Sequence, residues 1–340
     1  MSTLEFDGWP FVANAPGVER KKRLLFALMV AVVAVGYAWL HARVLEPHRP
    51  HRDFDQAWFA ARAMLARRDP YQLIGTGREF DWAWPFFYPL TAAAVVLPIA
   101  WIPMLTARLL FIGAGAFAFS YAITRDGWAK TPALLSAPFL VSVTAAQWSP
   151  LLIGVASIPS LAWVLSAKPN FAIPLLGWRL NMIVPAVVGG AIVCAVSLAF
   201  EPHWPTNWFQ MIRTARPGTV LALTTTGPLL LLSATRWRRP DGRLMLLLAI
   251  TPQTMAAYGT LPLFLIPKTL RESMALALLS AIPHAVQVYS DDSAHYAPWF
   301  VQAAYVLVLY VPALVMVLRH RSIDHPRGTV MNVQAGFKAS

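Results

Sequence analysis

The chain of 340 residues is 57% hydrophobic and only 13% charged, with a mean hydropathy of +0.52. Soluble domains run near 45–50% apolar and about 25% charged, so this composition excludes an ordinary water-soluble domain. The formal charge of +12 does not point to nucleic acid in such a chain, because positive residues hold cytoplasmic loops of membrane proteins at an anionic leaflet. The single cysteine, Cys194, lies in an apolar run and leaves no internal disulfide or cysteine-based metal cluster to expect.

Residues 1–23 read as a cytoplasmic tail that ends in Arg20-Lys21-Lys22-Arg23. The first apolar run, 24–40, is long and has no small-residue cleavage site, so a retained anchor is expected. A polar stretch, 41–83, follows. Further apolar runs cover 86–103, 105–124, 132–146, 151–167, 171–176, 182–200, 220–234, 244–260, 261–266, 273–288 and 299–318. Most have the length needed to cross a hydrocarbon core of ~30 Å, and together they predict an all-α bundle of roughly 10–12 transmembrane helices over 24–318. With both termini inside, Arg236-Trp237-Arg238-Arg239 and the basic tail 319–340 fall in the cytoplasm, and 41–83 becomes the first extracytoplasmic loop. The 28 prolines predict kinked or broken helices, and the 14 tryptophans, many at run ends, predict an interfacial belt.

The first loop is the most informative stretch. Phe54, Trp58, Ala61 and Leu65 recur at helical spacing and predict a short helix with one apolar face, lying flat at the membrane interface. Asp53 stands at its start. It reads either as the N-cap, accepting a free backbone N–H, or as a carboxylate held at the membrane surface to take a proton from a hydroxyl. Asp55 is a second candidate for that role, with pairing to a neighbouring arginine as its alternative. Asp69-Pro70-Tyr71 reads as a turn closing the helix. The loop's arginines, Arg62 among them, bind lipid headgroups or clamp a phosphate.

Asp53-Phe54, Ala60-Ala61-Arg62, Asp69-Pro70-Tyr71, Phe87-Tyr88-Pro89 and Pro98 follow in order. So arranged, they resemble the opening of the glycosyltransferase family 87 proteins, polytopic enzymes of the GT-C superfamily that include polyprenyl-phosphate-mannose-dependent mannosyltransferases. Gln147-Trp148-Ser149-Pro150-Leu151-Leu152 resembles the family's glutamine-containing segment, Lys168-Pro169-Asn170 its Lys-Pro step, and Tyr258 is a further echo. Leu90 stands where the family pattern has a second proline, and Ala146 where it has a glycine. The resemblance spans roughly residues 50–180. It implies a GT-C-like bundle with a catalytic carboxylate in the first extracytoplasmic loop, Asp53 first and Asp55 second. It also implies a polyprenyl-phosphate sugar donor entering from the bilayer, a lipid or glycan acceptor, and inversion at the anomeric carbon. Arg62, Lys168 and His284 are then candidates for the donor phosphate, and Tyr88, Gln147 and Tyr258 for the substrate pocket.

Ionisable side chains inside apolar runs are costly and call for a reason. Arg108, close to a run end, is expected to snorkel to the interface, and Lys168 either snorkels or meets the phosphate. His284 reads as a satisfied buried histidine or as a phosphate contact, and Gln147 as a helix-end or interhelical hydrogen-bonding group or as pocket lining. Asp291, Asp292 and His295 do not complete a ligand set and read as a solvated loop, so neither metal nor cofactor is expected. The resulting expectation is a membrane hexosyltransferase, with mannose as the first sugar to consider. A transporter or flippase for a lipid or small solute, and a non-catalytic assembly partner, are the alternatives.

Overall fold

A computed structural model describes residues 16–46, 51–214, 218–254, 256–290 and 298–320, and Asp291, Asp292 and His295 lie outside them. The protein is mostly helical. Among the described residues, four helical stretches are long and apolar enough to cross a membrane: Glu19–Val44, Met104–Ile123, Leu180–Phe200 and Trp299–Arg319. A fifth is a broken pair, Ala137–Thr144 with Ser149–Val155, bent by 109°. Leu25, Val32 and Val33 on the first, and Val184, Val187 and Val188 on the third, remain exposed. Apolar surface of that extent suits lipid contact and not water.

Helix α1 (Pro16–Val44) begins inside the predicted tail and ends four residues beyond the predicted run. Then come α2 (Asp53–Leu65), a single turn α3 (Pro70–Leu73), a minimal parallel strand pair (Ile74–Gly75 with Phe80–Asp81), α4 (Leu90–Val96) and α5 (Met104–Ile123). The bent pair forms α6 (Ala137–Thr144) and α7 (Ser149–Val155), and α8 (Pro169–Trp178), α9 (Ile183–Phe200) and α10 (Trp204–Thr214) follow. The last third holds α11 (Pro240–Ile250), α12 (Leu270–Leu279), α13 (Ala281–Tyr289), α14 (Trp299–Tyr305) and α15 (Val311–Arg319). A turn of π-helix joins α14 to α15.

Proline marks many helix starts, where its missing backbone donor costs nothing: Pro169 and Pro240 are the first residues of α8 and α11, Pro150 is the second of α7, and Pro174 lies inside α8. The predicted run 151–167 is divided between α7 and a segment that begins at Pro159. The segments Pro159–Ala167, Gly227–Arg236 and Ala257–Leu265 wind as tighter 3-10 turns, the last with Pro262 inside it.

Two polar ends are recognisable from side-chain ties. At one, the Arg23 guanidinium donates to Tyr121 O (2.8 Å) at the close of α5, and Arg236 donates to Leu318 O (3.0 Å) at the close of α15. There His320 also meets Glu272 of α12 (3.1 Å). At the other, Trp58 Nε1 donates to Ile102 O (3.1 Å) ahead of α5, and Arg67 donates to Ala199 O (2.8 Å) at the close of α9. Helices α1 and α9 therefore run in one direction and α5 and α15 in the other.

Helix α2 is not laid on a surface by a single apolar face. Phe54, Ala57, Ala60, Ala61 and Met64 are buried, as are Asp55 and Gln56, while Leu65, predicted on the apolar face, is 54% exposed. The reason is alanine: its small side chains let α4 and α5 close over α2 from two sides.

Candidate functional site

Helix α2 starts with Arg52 in extended backbone as its N-cap, so Asp53 is the first residue of the helix and not its cap. The capping carboxylate belongs to Asp55, which accepts the Arg52 backbone N–H at 2.6 Å. This corrects the N-cap reading of Asp53, whose own N–H donates to Ala145 O (3.1 Å) at the bend between α6 and α7. Its carboxylate is left free for side chains: Oδ1 accepts from Gln56 Nε2 (3.1 Å), and Oδ2 accepts the Tyr88 hydroxyl in a short hydrogen bond.

Lys168 completes the cluster. It precedes α8, and its ammonium lies 5.6 Å from the ring centre of Tyr88 and 5.1 Å from that of Tyr258. Two aromatic faces thus hold one cation by its charge. Burial pushes the Asp53 carboxyl up from its ordinary value, and the Lys168 ammonium and Tyr88 hydroxyl pull it part of the way back. Burial likewise pushes Lys168 down, offset by the Asp53 carboxylate. The result is a carboxylate–ammonium pair with both groups displaced toward neutrality.

Asp55 faces away from this cluster. It is fully buried and takes two hydrogen bonds from the Arg108 guanidinium, one of them Nε to Oδ1 at 2.9 Å. Arg108 is therefore not snorkelling: it is 6% exposed and serves as counter-ion to Asp55, because a buried carboxylate is tolerable only when paired and hydrogen-bonded. Burial raises the Asp55 carboxyl, and Arg108 holds that rise back. Asp55 is a structural anchor behind the helix start, and Asp53 is the carboxylate that meets Tyr88, Gln56 and Lys168.

Asp69-Pro70-Tyr71 does not close α2, which ends at Leu65 and turns at Ala66-Arg67; it opens α3 instead, with Asp69 capping that turn through the Tyr71 N–H (2.9 Å). It also does something the sequence did not signal. The Tyr71 hydroxyl donates to Tyr88 O (3.0 Å), which sets the backbone that presents Tyr88 to Asp53. Helix α10 adds two ties, Asn207 Nδ2 to Asp69 (3.0 Å) and Trp208 Nε1 to Phe87 O (3.0 Å).

Of the sequence candidates, Asp53, Tyr88, Lys168 and Tyr258 come together. Gln147 is buried at the α6–α7 bend, next to Trp148, whose ring lies 6.3 Å from that of Tyr88. Arg62 is elsewhere: exposed, with its guanidinium 5.1 Å from the Trp58 ring centre and nine residues along α2 from Asp53. His284 lines an apolar groove of about 450 Å³ between α1, α6, α12 and α13, together with Tyr37, His41, Thr144, Met274 and Leu278. Its Nδ1 has no partner, so it is not a satisfied core histidine. Thr144 at the groove's edge is one residue from Ala145, the acceptor of the Asp53 N–H. Sequence reasoning missed Gln56, although its place three residues after Asp53 on a helix puts the two side chains together. Among the described residues, no group of three His, Cys, Asp or Glu side chains is arranged to hold a metal ion.

Comparison of the chain with protein-family models, with curated proteins and with solved structures gives no match.

Proposed function

We propose that this protein is a membrane glycosyltransferase that moves a hexose, mannose being the first candidate, from a polyprenyl-phosphate donor to an extracytoplasmic lipid or glycan hydroxyl with inversion. The observation that carries the reading is the meeting of Asp53, Tyr88, Lys168 and Tyr258 from four separate parts of the chain. Chain order and spacing also resemble the opening of glycosyltransferase family 87, and the apolar groove beside the α6–α7 bend offers a lateral approach for a greasy chain.

The chemistry follows from the groups present. A sugar hydroxyl is a poor nucleophile near neutral pH, so a carboxylate raised by burial toward that range is a suitable general base, worth typically ~10²–10⁴ in rate. Asp53 takes the proton of the acceptor hydroxyl as its oxygen bonds to the anomeric carbon. The bond from that carbon to the phosphate oxygen breaks on the opposite face, and its electron pair leaves with the phosphate. The Lys168 ammonium, held between two rings, is the cation to meet that growing negative charge. Gln56 and Tyr88 hold the base in position.

The proposed topology has the end with Arg20, Lys21, Lys22, Arg23, Arg236, Arg238, Arg239 and Arg319 in the cytoplasm, as the positive-inside rule favours. Asp53 and Lys168 then face outward. In this arrangement the proline-broken segments complete further passes between the two polar ends, taking the total to about 10–12.

The test is sugar transfer by membranes carrying the Asp53→Asn protein and a labelled polyprenyl-phosphate hexose. Loss of at least ~10²-fold with unchanged expression is expected. Full activity in that variant would falsify the assignment of the base. Solute uptake by proteoliposomes of the wild-type chain, with no transfer from any sugar donor, would replace the reading by a transporter.

A further inference from the structure

Four cations gather at the end of the molecule that carries Arg23, Arg236 and His320. Arg125 and Lys130 stand in the loop after α5, Arg179 between α8 and α9, and Lys268 ahead of α12. Among the described residues, none of the four is in a salt bridge.

The fold brings them together. The 3-10 segment Thr131–Leu135 packs along α12 and runs the same way, because Ala137 just beyond it donates its N–H to Ser280 Oγ (3.0 Å) at the close of α12. Lys130 and Lys268 precede these two segments and therefore share an end. Arg179 follows α8, whose Gly177 O accepts from Arg243 Nε (2.6 Å), while Arg243 Nη1 donates to Arg238 O (2.9 Å). Arg125 follows the close of α5, where Arg23 is tied to Tyr121 O.

The carboxylates nearby do not neutralise the group. Asp241 is taken by Arg239 and His320. Glu272 is taken by His320 and by the backbone N–H groups of Lys268 (2.8 Å) and Thr269 (3.1 Å). That leaves Asp126, which is exposed, against four cations. Lys130 and Arg179 are half-buried, so water screens them less than it screens an ordinary basic loop. Burial pushes the Lys130 ammonium down from its ordinary value; Asp126 offsets part of this, and Arg179 and Lys268 add to it. An anion from outside the chain relieves that repulsion.

The surroundings say which anion. Ammonium and guanidinium groups only donate hydrogen bonds, and they suit phosphate oxygens. Beside the cations the surface turns apolar at once: Leu135 is 79% exposed, Leu180 50% and Val184 70%. A ligand that meets both surfaces has a negatively charged head and a greasy body, and the bilayer supplies such molecules in quantity. A soluble phosphate would use the cations alone.

We propose that Arg125, Lys130, Arg179 and Lys268 form a binding site for the headgroup phosphate of an anionic phospholipid in the leaflet at this end of the molecule. The site lies at the opposite end of the bundle from Asp53 and does not depend on the glycosyltransferase reading.

Purified full-length protein in detergent is titrated with dioleoyl phosphatidylglycerol, with dioleoyl phosphatidylcholine and with inorganic phosphate, and binding and melting temperature are followed. Phosphatidylglycerol is expected to bind saturably and raise the melting temperature, and the other two to do neither. Arg125 and Lys268 are exposed, so Arg125→Gln and Lys268→Gln do not threaten the fold. Each is expected to weaken phosphatidylglycerol binding about 5-fold, and the two together about 25-fold. Arg213→Gln, which removes an exposed cation of α10 at the other end, leaves it unchanged. Full phosphatidylglycerol binding in the double variant overturns the site, as does equal binding of both lipids by the wild type. Stabilisation by inorganic phosphate as large as that by phosphatidylglycerol replaces the lipid with a soluble anion. Without lipid, Lys130→Gln melts no lower than the wild type, because it relieves repulsion. A fall of several degrees, or failure to fold, assigns Lys130 to an internal pair with Asp126 and overturns its place in the site.

Discussion

Asp53 and Asp55 sit two residues apart on one helix and have opposite roles, because a helix turns their side chains toward different neighbours. Asp55 turns into the bundle and is neutralised by Arg108, and Asp53 turns toward Tyr88, Gln56 and Lys168. The pH dependence of transfer follows from the shifts at Asp53 and Lys168. The base must be ionised, so activity falls as the pH drops through an Asp53 value raised above the usual carboxylate range. The cation must be protonated, so activity falls again as the pH rises through a Lys168 value depressed below the usual lysine range. A bell narrowed from both sides is expected in a rate–pH profile. Lys168→Met removes the alkaline limb, and it moves the acid limb to higher pH by removing the charge that holds Asp53 down. Tyr88→Phe moves the acid limb the same way through loss of a hydrogen bond and leaves the alkaline limb in place. An acid limb that moves down in either variant contradicts the geometry. At Asp55 the expected readout is stability. Arg108→Met strands a buried carboxylate and costs about 3–5 kcal/mol, measured as a large drop in melting temperature, and Asp55→Asn combined with Arg108→Met recovers part of it.

Among the elements, the α6–α7 bend is the one on which the site depends most. Ala146 adopts a left-handed backbone (φ 51°), a conformation that costs a residue with a Cβ but not glycine. This is also the position at which the resemblance to glycosyltransferase family 87 leads one to expect glycine. Ala146→Gly is therefore expected to be neutral or to stabilise by up to about 1 kcal/mol, the relief of strain exceeding the entropy gained by the unfolded chain. A destabilised Ala146→Gly protein in thermal melts would mean that the bend is held differently. Helix α2 illustrates how far local pattern reaches. Its boundaries are close to those its apolar spacing predicts, and of the four residues predicted on its apolar face Phe54, Trp58 and Ala61 are buried while Leu65 is exposed. Its setting differs, because small residues on its remaining faces admit neighbours that an amphipathic surface helix does not have.

For the whole molecule, the proposed orientation has a direct check. The chain has one cysteine, so Cys194→Ala gives a clean background for single reporters. A cysteine at Arg62 is expected to react with a membrane-impermeant maleimide in intact cells, and one at Arg238 only after permeabilisation; the reverse pattern inverts the topology and removes the outward site. By itself the sequence determined that the chain belongs in a bilayer and that a helix runs from Asp53 through Leu65, and through its family resemblance it offered Asp53, Asp55, Arg62, Tyr88, Gln147, Lys168, Tyr258 and His284 as site candidates. All of these rest on composition, on spacing within a few residues or on an ordered series of short motifs. Only the tertiary structure decided which carboxylate caps α2, that Arg108 is buried against Asp55, and that Lys168 is gripped by two rings while Arg62 and His284 lie apart from it. The partners in those pairs stand 53 residues apart for Asp55 and Arg108 and 35 for Asp53 and Tyr88. Nothing in the local periodicity of a chain specifies which distant side chain will be its neighbour; that is settled when proline-broken helices of unequal length pack and every buried charge must find its counter-ion.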